Sequence, residues 1–201
     1  MQNCVIIFNG DRESVIVYEL IRELYDNIVL ITLVSPYEMS RTHPIEIIKK
    51  QAEMMNVIHE TVSVNGRSMD DYRVLLTEVC KKYNADTIVH CATGYINGLN
   101  SDWITDVCKG SDLYVTKPIW GFSPEKLSKL EKKFNIRRIY TMAIGNKLVK
   151  LIGREVDENG GSGTTGDMVI RSKSFRSDIR IKSFAIKSTL DIYFTMCDIG
   201  F

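Results

Sequence analysis

Short apolar runs alternate along the chain with segments whose apolar residues return every three or four positions, a pattern that predicts strands and helices in turn. Val5-Ile6-Ile7-Phe8 reads as a buried strand running into a polar turn, residues 9–13, and a helix from about Ser14. Val17, Leu20, Ile21 and Leu24 form one stripe on that helix. Residues 28–34 are too apolar for a half-exposed strand and predict an internal parallel strand covered on both faces. Pro44 is expected in the first turn of a second helix that turns Ile48, Ala52 and Met55 inward and ends near Asn56. Residues 57–64 alternate as an edge strand would, and Ser68 with Asp71 forms a capping-box pattern ahead of a third helix. Residues 86–92 and 113–120 predict two more strands, with a loop (93–100) and a helix (102–108) between them. This order predicts βαβ units and a doubly wound, mainly parallel, five-stranded α/β sheet.

Beyond that point the pattern changes. Ser123-Pro124 opens a helix with Leu127, Leu130 and Phe134 inward. Residues 139–144, 168–170, 179–186 and 190–196 then read as strands separated only by turns, with a Gly-rich stretch at 159–166. The expected division is an α/β nucleotide-binding domain over residues 1–121 and a smaller, β-rich, antiparallel α+β lobe over 122–201.

Composition narrows the class only slightly. The 201 residues are 44% hydrophobic and 25% charged, ordinary globular values, with a net charge of +1 that offers no global attraction to nucleic acid or an anionic membrane. No basic n-region opens the chain and no apolar stretch nears the length of a span, so a cytoplasmic protein is expected. The five cysteines lie far apart without a C-x-x-C, and the three histidines, His43, His59 and His90, have no metal spacing; packed thiols and no metal site are expected.

In an open α/β sheet, ligands bind beyond the carboxyl ends of the strands where strand order reverses. The turn after the first strand is one such place, because helix N-terminal N–H groups and the helix dipole favour anions. Neither a G-x-G-x-x-G nor a G-x-x-x-x-G-K-[ST] pattern is present. The stretch Phe8-Asn9-Gly10-Asp11-Arg12-Glu13-Ser14 instead resembles the F-S-G-G-K-D-S loop of the N-type ATP pyrophosphatases, and within them the diphthine–ammonia ligases. Arg41-Thr42-His43-Pro44-Ile45 with Lys50-Gln51-Ala52-Glu53 resembles that family's H-T-P…L-Q-A-E segment, and Lys117-Pro118-Ile119-Trp120-Gly121 its A-P-L-W-G corner. Leu151-Ile152-Gly153-Arg154-Glu155-Val156-Asp157 resembles its L-G-R-x-[IL]-D, and Glu158-Asn159-Gly160 its E-N-G.

The resemblance implies ATP as cofactor, Mg2+ if ATP is cleaved, and a carboxamide made through an AMP-activated carboxyl. The implied substrate is diphthine on translation elongation factor 2, with ammonia as nitrogen donor. Asn9, Gly10, Asp11, Arg12, Glu13 and Ser14 would then face the phosphates. Leu33, Val34 and Ser35 would receive adenine through backbone groups, and His43, Ala92, Thr93 and Gly94 would border the ligand. No catalytic residue is assigned, and a homo-oligomer is left open.

Three departures bear on activity. The loop carries Asp11, Arg12 and Glu13 where the family has glycine, lysine and aspartate. A carboxylate roughly 5 Å from a phosphate charge costs about 3 kcal/mol at an effective dielectric of 20. The fourth-strand turn, Cys91-Ala92-Thr93-Gly94-Tyr95 with Asn100-Ser101-Asp102-Trp103, lacks the family's arginines, and no histidine follows Asn159, where Thr164 and Thr165 stand. Two readings therefore stay open: an AMP-forming ligase, or a relative that keeps the fold as a nucleotide- or protein-binding module. Arg171, Lys173, Arg176, Arg180, Lys182 and Lys187 form a basic cluster with Asp178 as its only counter-charge. It is either a solvated face or a docking patch for an acidic protein or RNA; no RNA-stacking motif accompanies it.

Overall fold

β1 (Asn3–Ile7) lies at the centre of a five-stranded parallel sheet in which β2 (Asn27–Val34) and β3 (Ile58–Ser63) extend to one side and β4 (Thr87–Val89) and β5 (Tyr114–Thr116) to the other. The computed structural model describes residues 2–35, 43–65, 68–94, 102–157, 165–189 and 192–200. The side chains of Cys4, Ile6 and Phe8 alternate with those of Val5 and Ile7, so β1 feeds two hydrophobic clusters. One face is covered by α1 (Arg12–Ile21), α2 (Ile45–Met55) and α5 (Pro124–Lys133), the other by α3 (Met69–Lys82) and α4 (Trp103–Cys108). Phe8, Ile6, Ile16 and Leu30 are among the largest fully buried side chains; each contributes roughly 1.5–3 kcal/mol relative to exposure. Strand order reverses between β1 and β4, so the turns that follow them diverge over one crevice.

The second sheet is antiparallel, with order β7-β6-β9-β8, built from β6 (Arg137–Ile144), β7 (Thr165–Arg171), β8 (Arg180–Thr189) and β9 (Ile192–Gly200). It shares the first sheet's core: Met168, Val169, Phe175 and Ile179 pack with Phe8 and the apolar faces of α1 and α2. Polar ties reinforce the junction. Val169 N donates to Gly10 O at 3.1 Å, and Gln51, fully buried on α2, spends both amide hydrogens on Gly10 O (2.8 Å) and Val169 O (2.7 Å). Glu19 of α1, also buried, accepts from Ser172 Oγ and from Ser174 N.

The α/β architecture and the antiparallel second sheet agree with the sequence pattern, and the local differences have physical causes. α1 begins at Arg12 rather than Ser14 because Asp11 caps it. Pro44 precedes α2 as its N-cap rather than lying in its first turn, while Asn56 closes the helix in the left-handed region at φ 56°. The Ser68–Asp71 capping box is complete. β5 stops at Thr116, and residues through Gly121 form turns, because Pro118 has no N–H to extend a ladder. A 3-10 helix, Asn146–Leu151, occupies a stretch read as a turn. Arg41, Thr42, Tyr95, Asn100, Ser101, Glu158, Asn159, Gly160 and Thr164 lie outside the described residues. No helix among the described residues is long and apolar enough to cross a membrane.

Gly10 is where the two sheets meet most tightly. Its φ is +76°, and a Cβ there would lie 2.3 Å from Gln51 Oε1 and 2.7 Å from Met168 Cε. Gly10→Ala is therefore expected to lower the unfolding free energy by about 2–4 kcal/mol, from backbone strain and overpacking together. Urea unfolding measures this directly, and a loss below about 1 kcal/mol would show that the junction yields.

Candidate functional site

The loop after β1 folds onto itself. Asp11 takes the N-cap position of α1 in extended conformation, and its Oδ1 accepts from Ser14 N at 2.8 Å. Ser14 Oγ in turn accepts from Asn9 N at 3.1 Å. Two main-chain donors that could meet an anion at this helix start are thus satisfied by the loop's own side chains.

Arg12 leaves the crevice. Its guanidinium binds Glu13 Oε1 (2.6 Å) and lies 3.8 Å from Glu131 Oε2 on α5. Glu131 also binds the buried Arg138 at 2.6 Å, and Arg138 binds Asp167 at 2.7 Å. The cation standing where the resembled family has lysine is engaged in a charge chain from α1 through α5 to β6 and β7.

Between the β1 and β4 turns lies a cavity of about 380 Å³. Asn9, Asp11, Glu13 and Ser14 line it from the first turn, Ala92 and Thr93 from the second, and Ile7, His90, Cys91 and Trp103 complete it. Among the described residues the lining contains two carboxylates and no lysine or arginine. Burial pushes the Glu13 carboxyl above its ordinary range and neighbouring Asp11 pushes it further, while Arg12 opposes both. Burial holds the Cys91 thiol well above its usual value, so it is not a thiolate nucleophile. Among the described residues no group of three potential ligands could hold a metal ion.

The other sequence-predicted positions are not among the described residues that line this cavity. Gly10 faces Gln51 and Met168 behind the loop. His43 Nε2 is 3.9 Å from Asp11 Oδ2. Val34 O accepts from Val64 N and so points to the β3 side. Leu33 points the other way: Ile31 O accepts from Phe8 N at 2.8 Å, and peptide groups two residues apart face the same neighbour, so Leu33 turns its main chain toward β1 beyond the last β1–β2 pair. Ser35 ends this segment and Gly94 borders the second turn. Trp120 is half-buried, with Lys117 Nζ 4.7 Å from its ring centre.

Sequence reasoning did not place His90 at the site, and it named Cys91 and Trp103 only as parts of the fourth-strand turn. His90 is the first residue beyond β4, and its position at a carboxyl strand end beside the switch point was the available signal. Its ring meets Trp103 edge-on at 6.0 Å, and its buried Nδ1 has no hydrogen-bond partner among the described residues. Burial lowers its pKa from the ordinary 6.5, and Lys117 opposes protonation while Asp102 favours it.

Asp11 thus occupies the helix start, and Arg12 is paired with Glu13 and Glu131. The crevice suits donor-rich, uncharged groups: two carboxylates and Thr93 can accept hydroxyl or amino hydrogens.

No family model matches the chain, and no curated protein matches it. Among solved structures it is similar to a predicted subunit of tRNA methyltransferase from Methanocaldococcus jannaschii, with a TM-score of 0.49 and 14% identity over 68% of this chain and 77% of that one. It is also similar to the U34-tRNA thiolase NcsA from Methanococcus maripaludis with its 4Fe–4S cluster, with a TM-score of 0.49 and 16% identity over 65% of this chain and 56% of that one. Neither likeness carries a residue assignment onto this chain.

The pKa of His59 is also lowered by burial, with Lys49 adding to the effect. A base whose folded pKa lies below its unfolded value binds fewer protons when folded, so stability rises with pH up to the unfolded value and falls on acidification. Unfolding free energy is therefore expected to rise between about pH 5.5 and about pH 7.5, with a shallower slope in His90→Gln. Urea melts at the two pH values check this; equal slopes for the two proteins would remove His90 from the account.

Proposed function

We propose that the chain is a nucleoside-binding relative of the N-type ATP pyrophosphatases whose loop has become a self-capped turn, and that it does not carry out ATP-dependent ligation. The observation that carries this reading is the Ser14 N–H held by the Asp11 carboxylate at 2.8 Å, where a phosphate would otherwise sit. The engagement of Arg12 by Glu13 and Glu131 supports it, since no lysine or arginine is among the described residues that line the cavity. Adenine would meet the Leu33 main chain, and ribose hydroxyls would donate to Asp11 or Glu13, as carboxylates at such switch points commonly accept them.

The ligase reading requires the opposite loop state, with Asp11 turned away and the α1 amides open to phosphate. It would make elongation factor 2 the protein substrate, with ammonia as nitrogen donor.

Calorimetry with adenosine, AMP and ATP separates the two. Adenosine is expected to bind, with affinity falling as phosphates are added and ATP at least about tenfold weaker. No pyrophosphate is expected with elongation factor 2 and ammonium present. Asp11→Gly should raise ATP affinity by about 10- to 100-fold while leaving adenosine nearly unchanged. Tightest binding of ATP to the natural chain, or pyrophosphate release, would restore the ligase; no heat with any of the three would end the nucleoside reading.

A further inference from the structure

β8 is, with β7, one of the two outer strands of the second sheet. Its inner side pairs with β9 from Arg180↔Gly200 to Thr189↔Ile192. Its outer side has no strand partner among the described residues, so a row of alternating N–H donors and C=O acceptors faces outward. Ala185, Ile186, Lys187 and Ser188 are exposed in succession, which places both faces of the strand in solvent. Ile186 is 41% exposed.

The strand also has one sign of charge. Arg180, Lys182 and Lys187 are exposed and β8 contains no carboxylate. None of the three enters an ion pair among the described residues, whereas nearby Arg171 is already bound to Asp178 at 2.6 Å. Register shifts between Ile181 and Ser183 make Lys182 the extra residue of a bulge. The start of β8 borders a cavity of about 660 Å³ in which Glu53 and Asp178 are paired with Lys50 and Arg171, leaving Arg180 as the lining cation without an ion pair among the described residues.

We propose that the outer edge of β8 is a docking site for an acidic extended segment of a partner protein, which adds to the sheet as a further strand and sets its carboxylates against Arg180, Lys182 and Lys187. An extended peptide matches both halves of the edge, supplying donors and acceptors in alternation. A phosphodiester backbone supplies acceptors alone, and the chain's net charge of +1 gives nucleic acid no wider field. A second copy of β8 is disfavoured because no register sets a carboxylate opposite a cation. The proposal does not depend on the nucleoside reading, since the edge belongs to the other sheet.

The test is fluorescence anisotropy of the full chain with a fluorescein-labelled octapeptide alternating glutamate with valine or threonine. A matched peptide with lysine for glutamate, and a labelled oligouridine, serve as comparisons. The glutamate peptide alone is expected to bind, more weakly as salt rises, with slowed amide exchange in β8 and unchanged exchange in β1. Lys182→Glu combined with Lys187→Glu should weaken binding by about tenfold or more, and Lys187→Ser alone by about threefold should the double variant fail to fold. Equal binding of both peptides, binding without protection of β8, binding of oligouridine in place of peptide, or dimerisation through β8 in sedimentation would each overturn the proposal.

Discussion

The carbonyl of Gly10 accepts two hydrogen bonds from outside its own loop, one from Val169 N on β7 and one from Gln51 Nε2 on α2. This convergence fixes the turn after the central strand against the second sheet, and the left-handed backbone at Gly10 allows the approach. With Gly10 held, Asp11 follows in extended conformation and its side chain reaches Ser14 N. The path of α1, the mouth of the crevice and the junction of the two sheets all follow from it. A fully buried glutamine with its two donors spent on carbonyls of different elements is a costly arrangement to break, since each orphaned buried carbonyl carries a penalty of about 1–3 kcal/mol.

The consequence is a strand–turn–helix with the geometry of an anion site and the occupancy of a closed one. Helix N-termini attract negative charge, and here the charge comes from the protein. An internal carboxylate has no entropy of association to overcome, so a phosphate would have to displace it against that advantage. The same logic extends to Arg12, whose pairing with Glu131 joins it to Arg138 and Asp167.

Much of the fold was legible because its causes are local. The β-branched runs of β1 and β2 are buried on both faces, and the caps at Ser68 and Ser123 act within three residues. The two acids in the loop were visible as a conflict with an anion site, and the structure resolves the conflict for Asp11 by making it the cap. What was not legible depends on contacts distant in sequence: Arg12 with Glu131, Gln51 with Val169, and His90 beside Trp103. Gln51 lay within a quoted motif, yet nothing in its neighbours shows that it faces a strand from the far third of the chain. His90 was weighed for metal spacing alone, and burial at a strand end has no signature in spacing. The extent of β5 was misjudged because the apolar run continues through Pro118, where the ladder cannot.

The closed state of the α1 N-terminus is read most directly by amide NMR of Ser14. Its N–H resonance is predicted to stay in place when millimolar inorganic pyrophosphate is added at neutral pH. Saturable movement of the Arg12, Glu13 and Ser14 amides on adding pyrophosphate would contradict it and show that the helix start still receives phosphate.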